Sequence, residues 1–357
     1  MAQRAAPEVP SPRPSGRRRT PSHTKGRQLD STAAAEVRAL LGDRPRQRDL
    51  LIEHLHLIQD RFGCLSAAHL TALAHEMALA QTEVYEVASF YAHFDIVREG
   101  EAKPPALTVR VCDSVTCEIM GAKDLIAKLS GTLGDGVRVV RAPCIGRCDK
   151  APAAEVGHCA IDSATVERVT KAVRAHEVKP ALPEAMGLDA YRAQGGYKLL
   201  EACRNGQRTL DQVLEAVDGG GLRGLGGAGF PTGRKWRFVR AEPAPRFLAV
   251  NADEGEPGTF KDRWYMERDP HRFLEGVLLA AWAIETKAAY IYVRDEYPAA
   301  RAILAREIEA LKRAGLNAGV ELHLRRGAGA YICADAPPML ERSERQRDLP
   351  RHRPPNP

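Results

Sequence analysis

The residues best suited to chemistry are four cysteines in two close pairs, Cys112 with Cys117 and Cys144 with Cys148. Each pair follows an alternating apolar run: Leu107, Val109 and Val111 lead into Cys112, and Val137 and Val139 lead towards Cys144. Alternation at period two marks a strand and puts each pair in a loop at a strand's end. Two such loops on neighbouring strands bring four sulfurs around one small inorganic centre, and four thiolates serve a two-iron iron–sulfur cluster. Zinc sites also use closely spaced cysteine pairs, so spacing leaves zinc open. Pro143 fixes the chain ahead of Cys144, and Gly146 lets backbone N–H groups approach the sulfurs. Those N–H groups, and Arg147, would offset thiolate charge and raise a cluster's potential. Cys64, Cys159, Cys203 and Cys333 are isolated and read as packing residues.

A second chemical stretch is glycine-rich, Gly219 to Trp236, with Lys235 at its end. Many glycines in one loop allow close backbone approach to a phosphate. A helix starting near Thr232 would aim free N–H groups at an anion. The predicted element before this loop is a helix, so it is not the usual dinucleotide fingerprint, which follows a strand. Asn251 to Asp262 is an acidic loop, too hydrophilic for a core, whose carboxylates could accept from ribityl or ribose hydroxyls. A solvated acidic turn is the plainer reading of that loop taken alone.

The elements that must position these residues follow in order. Residues 1–30 form a basic, Pro- and Ser-rich arm, seven basic side chains against two acidic, which accounts for most of the chain's formal +6 and is expected to be disordered. Residues 31–100 read as a small helical bundle: Leu51, Leu55, Ile58 and Phe62 share one face, Gly63 ends that helix, Ser66 caps the next, and Thr82 caps a third. His54, His56, His69, His75 and His93 show no ligand spacing and read as surface or packing residues. In 105–178 the pattern predicts strand 107–111, helix 119–130, strand 137–140, strand 154–161 and helix 164–176, a small layered α/β domain. Residues 184–218 are a helical connector. Beyond 219 come strand 247–250, helix 271–285, strand 288–293, helix 298–313 and strand 320–324, a second α/β domain with a largely parallel sheet. No basic stripe with interleaved aromatics suggests nucleic acid. No apolar run approaches the roughly 20 residues that span a bilayer. The twin arginines near Arg17 lack a following apolar core, so a cytoplasmic protein is expected. Reducing conditions there favour metal-binding over disulfide-bonded cysteines.

Residues 221–236 with Asn251 to Asp262 resemble the flavin-binding subunit of the NADH-oxidising module of respiratory complex I. Residues 44–177, with the four cysteines, resemble that module's thioredoxin-like iron–sulfur subunit. Both in one chain is similar to the beta subunit of soluble NAD-dependent formate dehydrogenases, with the diaphorase subunit of NAD-reducing hydrogenases a close relative. The wording Pro45-Arg-Gln-Arg-Asp-Leu-Leu and Phe90-Tyr-Ala-His-Phe leans towards the formate dehydrogenase type. The resemblance implies an α/β fold: a helical bundle, a thioredoxin-like 2Fe–2S domain, and an incomplete Rossmann-like FMN- and NADH-binding domain at 219–333. It implies that Cys112, Cys117, Cys144 and Cys148 hold a 2Fe–2S cluster. Gly224, Gly226, Gly227, Gly229 and Lys235 would lie along FMN phosphate and the nicotinamide nucleotide, and Phe230 would stack on adenine. Asn251, Asp253 and Glu254 would bind the flavin, and Glu256 and Tyr331 would meet NADH. Lys235 and Glu256 would be the catalytic pair. The implied partner is a metal-pterin formate dehydrogenase catalytic (alpha) subunit.

The chain departs from the pattern at its end. The family follows Gly-Ala-Tyr-Ile-Cys with Gly-Glu-Glu; here Cys333 is followed by Ala334-Asp-Ala-Pro-Pro338. Each lost buried hydrogen bond would cost about 1–3 kcal/mol. Residues 334–357 read as a divergent tail, with Leu349 to Pro355 again family-like, a pattern an out-of-phase coding interval or a decaying gene would leave. A truncated chain is expected, with the 2Fe–2S module kept and the flavin site only in part.

Overall fold

A computed structural model describes residues 26–225, 228–317 and 319–330. Gly226, Gly227, Tyr331, Cys333, the first 25 residues and the tail lie outside these. Residues 26–30, expected with the arm, pack on the bundle: Arg27 pairs with Glu99 at 2.8 Å, and the Asp30 carboxylate accepts from Ala33 N at 2.7 Å.

That contact starts α1 (Ser31–Leu41), a helix whose alanine-rich buried face (Ala33, Ala34, Val37, Leu41) gives only a weak apolar signal. α2 (Leu51–Phe62) ends at Gly63 with φ 75°, as the glycine predicts. After β1 (Leu65–Ser66), Ser66 Oγ accepts from His69 N at 3.1 Å and opens α3 (Ala67–Glu76). α4 (Gln81–Phe90) is entered from Ala80, so Thr82 lies inside it and is not its cap. β2 (Ile96–Val97) pairs with β1 and closes the bundle.

The cysteine domain runs β3 (Leu107–Cys112), α5 (Val115–Ile119), α6 (Ala122–Thr132), β4 (Val137–Ala142), β5 (Ala154–Val156), β6 (Cys159–Ile161) and α7 (Val166–Arg174). Its sheet has the order β4-β3-β5-β6; β3 and β4 are parallel with Cys112 opposite Ala142, and the β3–β5 and β5–β6 pairs are antiparallel. The single strand expected over 154–161 is a hairpin that turns at Gly157, φ 61°. The helix expected from 119 begins at Ala122, and Cys117 sits on α5, a separate helical turn, not in an open loop.

The connector is α8 (Leu188–Ala193), α9 (Lys198–Arg204) and α10 (Leu210–Gly219). α11 (Thr232–Ala241), β7 (Leu248–Ala252), α12 (Lys261–Arg268), α13 (Pro270–Ile284), β8 (Ala288–Val293), α14 (Pro298–Arg313) and β9 (Glu321–Arg326) complete the described fold. β7, β8 and β9 form a parallel sheet in sequence order, as the alternation implies. α12 was not expected: its sequence Lys-Asp-Arg-Trp-Tyr-Met-Glu-Arg has no apolar stripe, and it is started by a buried carboxylate described below. No helix among the described residues is long and apolar enough to cross a membrane.

Candidate iron–sulfur and flavin site

Parallel pairing of β3 with β4 brings their carboxyl ends together, and with them the four cysteines. Cys112 and Cys117 are 1% exposed, Cys144 is 5%, and Cys148 is half-buried. Cys144 and Cys148 sulfurs stand 3.5 Å apart. The thiols crowd one another. The hydrogen bond with Cys117 pushes Cys112 up to about 11, and contact with Cys112 and burial push Cys144 up as well. The same contact holds Cys117 down, and burial raises Cys148. Metal binding would displace these shared protons.

Four cysteine thiolates brought together at two strand ends are the donor set of a two-iron cluster, a set that tetrahedral zinc also accepts. Backbone amides aim at all four sulfurs: Gly146 N at Cys144 Sγ at 3.4 Å, Gly258 N at Cys148 Sγ at 3.1 Å, and those of Ser114 and Ala153 at Cys112 and Cys117.

Gly258 belongs to the other α/β domain, and further contacts tie the two domains together here. The Arg294 guanidinium, at the carboxyl end of β8, donates to Cys144 O and to Glu254 O. It is held protonated against the cost of burial, with Glu296 beside it. The Tyr297 ring occupies the space a side chain on Gly146 would need. Arg263 reaches Asp149, next to Cys148, at 3.1 Å. None of Gly258, Arg294 and Tyr297 stood out in the sequence. The one available signal was a charged residue just past a parallel strand's carboxyl end, where open α/β sheets bind ligands.

The glycine loop is stapled at its base. Gly224 N donates to Phe230 O at 3.0 Å, and Thr232 N to Leu222 O at 2.9 Å. Asp218 packs against Gly233, where no Cβ would fit, and pairs with Arg237. Gly229 has φ 60°, and α11 starts at Thr232 as predicted, with no side-chain cap. Phe230 is 42% exposed beside Arg234, and Lys235 is exposed on α11. From the acidic loop, Asn251 Oδ1 accepts from Asp253 N at 3.0 Å, and Glu256 is exposed. A cleft of about 310 Å³ opens at Asn251, lined also by Ala252, Asp262, Tyr265, Met266, Arg272 and Phe273.

Glu254, expected beside the flavin, also has partners within the protein. It is 3% exposed, and its carboxylate accepts from Asp262 N at 2.9 Å, Arg263 N at 3.2 Å and Tyr297 OH at 3.1 Å. Both oxygens are engaged inside the protein, where they start α12 and shape the loop. This is why α12 forms without an apolar stripe.

His56, His93 and Asp295 also converge, with ligand atoms within 4.8 Å. Asp295 already takes Arg326 at 2.5 Å, His93 at 2.9 Å and Arg301 at 3.2 Å. Against burial, these partners hold its carboxyl well below the usual range. Two guanidiniums beside the carboxylate oppose a cation, so the cluster is an ion-pair clamp between bundle and second domain. His54, His56 and His69 are buried and hydrogen-bonded, in keeping with packing roles.

Residues 37–177 match the thioredoxin-like [2Fe-2S] ferredoxin family, and residues 217–357 match the Nuo51 FMN-binding domain. A subunit of the NADH-quinone oxidoreductase of Aquifex aeolicus is 45% identical over 183 residues, 49% of this chain and 42% of that protein. The NAD-reducing hydrogenase HoxS subunit alpha of Cupriavidus necator is 31% identical over 373 residues, covering 92% of this chain and 60% of its own length. A crystal structure of a NAD+-reducing [NiFe]-hydrogenase in the H2-reduced state superposes with a TM-score of 0.72 at 30% identity, over 87% of this chain and 57% of that one. The chain thus spans about two fifths to three fifths of the relatives it matches. The match to the thioredoxin-like ferredoxin family precedes the match to the FMN-binding domain along the chain, and the alignment with the hydrogenase subunit runs through both.

Proposed function

We propose that this chain is an electron-transfer (diaphorase) subunit that exchanges electrons among a 2Fe–2S cluster, FMN and NAD(H). The observation that carries this reading is the meeting of the cysteine quartet with the acidic loop of the flavin domain, sealed by Gly258 N on Cys148 Sγ. A flavin accepts a hydride and releases single electrons, whereas the cluster carries one at a time, which gives a reason to place both in one chain. Cys112, Cys117, Cys144 and Cys148 hold the cluster. Gly224, Gly229 and the amides opening α11 receive phosphate, Lys235 neutralises it, and Phe230 offers a stacking face. Asn251, Asp253 and Glu254 orient the flavin, Glu254 also holding the loop in shape, and Glu256 meets the nicotinamide nucleotide. Gly226, Gly227 and Tyr331, outside the described residues, complete the set by resemblance.

The donor we favour is formate, through a metal-pterin alpha subunit in the cytoplasm, on the motif wording at Pro45 and Phe90. A hydrogenase partner is the second reading, favoured by the 92% coverage in the hydrogenase alignment. Anaerobic reconstitution with iron, sulfide and FMN, followed by NADH–ferricyanide assay, tests the activity. Turnover supports the diaphorase, and a cluster without turnover leaves a non-catalytic iron–sulfur fragment. Zinc without iron in metal analysis overturns the cluster. Co-purification with either catalytic subunit separates the two donors.

A further inference from the structure

Gly258 sits on the loop between β7 and α12 with φ 93°, and nothing lies within 4 Å of where its Cβ would be. Backbone shape, not crowding, therefore calls for glycine here. At that φ its N–H points out of its own domain and meets Cys148 Sγ at 3.1 Å, across 110 residues of sequence. The loop is not free to drift. Glu254 fixes its start through the amides of Asp262 and Arg263, Arg294 ties Glu254 O to Cys144 O, and Arg263 holds Asp149. The amide is thus delivered to the sulfur by a rigid frame.

We infer that Gly258 N–H is a hydrogen-bond donor to the cluster's ligand shell, supplied by the flavin domain to raise the cluster's reduction potential. The inference rests on the reading that these cysteines bind a 2Fe–2S cluster. Reduction adds negative charge that spreads onto the cysteine sulfurs, so an N–H aimed at one of them favours the reduced form. Gly146 N makes a longer bond, 3.4 Å, to Cys144 from inside the ferredoxin domain. The backbone donors at Ser114, Gly146 and Ala153 therefore belong to the cluster's own domain, and Gly258 belongs to the domain proposed to hold the flavin. The loop carrying Gly258 also carries Asp253 and Glu256, so occupancy of that loop would be felt as a change in the cluster's potential.

The test uses the full chain, reconstituted and reduced. Grown on 15N-glycine, the wild type should show 15N couplings in pulsed EPR, from Gly146 and from Gly258. The Gly258 coupling should vanish in Gly258→Ala, because alanine keeps the N–H but carries no label. Identical spectra for the two would overturn the inference. Gly258→Pro removes the donor and should lower the midpoint potential. At fixed ambient potential its reduced-to-oxidised ratio should fall on the order of tenfold, about 59 mV for a one-electron couple. An intact cluster with wild-type midpoint in Gly258→Pro would also overturn it. If Gly258→Pro fails to hold a cluster, the labelling comparison decides alone. A wild type that binds no 2Fe–2S cluster overturns the reading beneath, and this inference with it.

Discussion

Arg294 joins the two domains through backbone carbonyls, so its removal should be felt by both. Its guanidinium is buried, 5% exposed, and donates to Cys144 O and Glu254 O while pairing with Glu296 at 3.2 Å. Arg294→Ala strands two carbonyls, each worth about 1–3 kcal/mol when left unsatisfied. It also strips Glu296 of a partner. Breaking a buried charged contact costs about 3–5 kcal/mol, and we expect a loss in that range. Arg294→Lys keeps the charge but has no planar fork to span both carbonyls, so it should lose about 1–3 kcal/mol. At about 2–4 °C per kcal/mol for a domain of this size, the alanine variant should melt roughly 6–20 °C lower. Thermal unfolding followed by far-UV circular dichroism measures both variants. A lysine variant that melts with the wild type would refute the two-carbonyl bridge. An alanine variant within about 2 °C of wild type would refute the clamp altogether.

Three shorter predictions follow from the same interface. Cys144→Ser should lower iron from about two atoms per chain to below one and bleach the visible spectrum; unchanged iron would remove Cys144 from the ligand set. Gly146→Ala should cost about 1–3 kcal/mol, because its φ is 68° and the Tyr297 ring fills the space. Trimming the ring in Gly146→Ala/Tyr297→Ala should recover part of that loss, and strictly additive unfolding energies would show no contact. Glu155, wholly buried, has its carboxyl raised to about 7 by burial, with Glu296 and Asp295 adding to the rise and Arg110 and Arg147 opposing it. The folded state then binds the proton more tightly than the unfolded chain, so stability falls as pH rises from about 4.5 to about 7. The full swing is about 3 kcal/mol. Glu155→Gln should flatten that slope in urea titrations at about pH 5 and about pH 8, and an unchanged slope would assign it to other groups.

What the sequence disclosed and what it withheld divide along a physical line. Strands β3, β4 and β8 and helices α13 and α14 follow from local periodicity, and each lies within two residues of its predicted bounds, while α11 begins at Thr232 as expected. The pairing of the cysteines follows as well, because parallel β3 and β4 leave their carboxyl ends side by side. α12 does not follow, since its first turn is satisfied by Glu254, whose carboxylate was read as a ligand for something outside the protein. An acidic residue in a polar loop looks the same in sequence whether it faces solvent or fills a helix start; only burial distinguishes the two, and the buried Glu254 accepts from Tyr297 OH, 43 residues away. The contacts that join cluster to flavin domain are likewise nonlocal: Gly258 on Cys148, Arg294 on Cys144, Tyr297 on Gly146. Two of the three end on backbone or use a backbone donor, which leaves no complementary pair of side chains to recognise. The third is a glycine opposite a ring, a match of absence to bulk. Residues that carry a cofactor's chemistry advertise themselves by type and spacing, whereas residues that fix the distance between two cofactors act through shape. That second class is therefore where substitutions that leave every motif intact should still uncouple the domains.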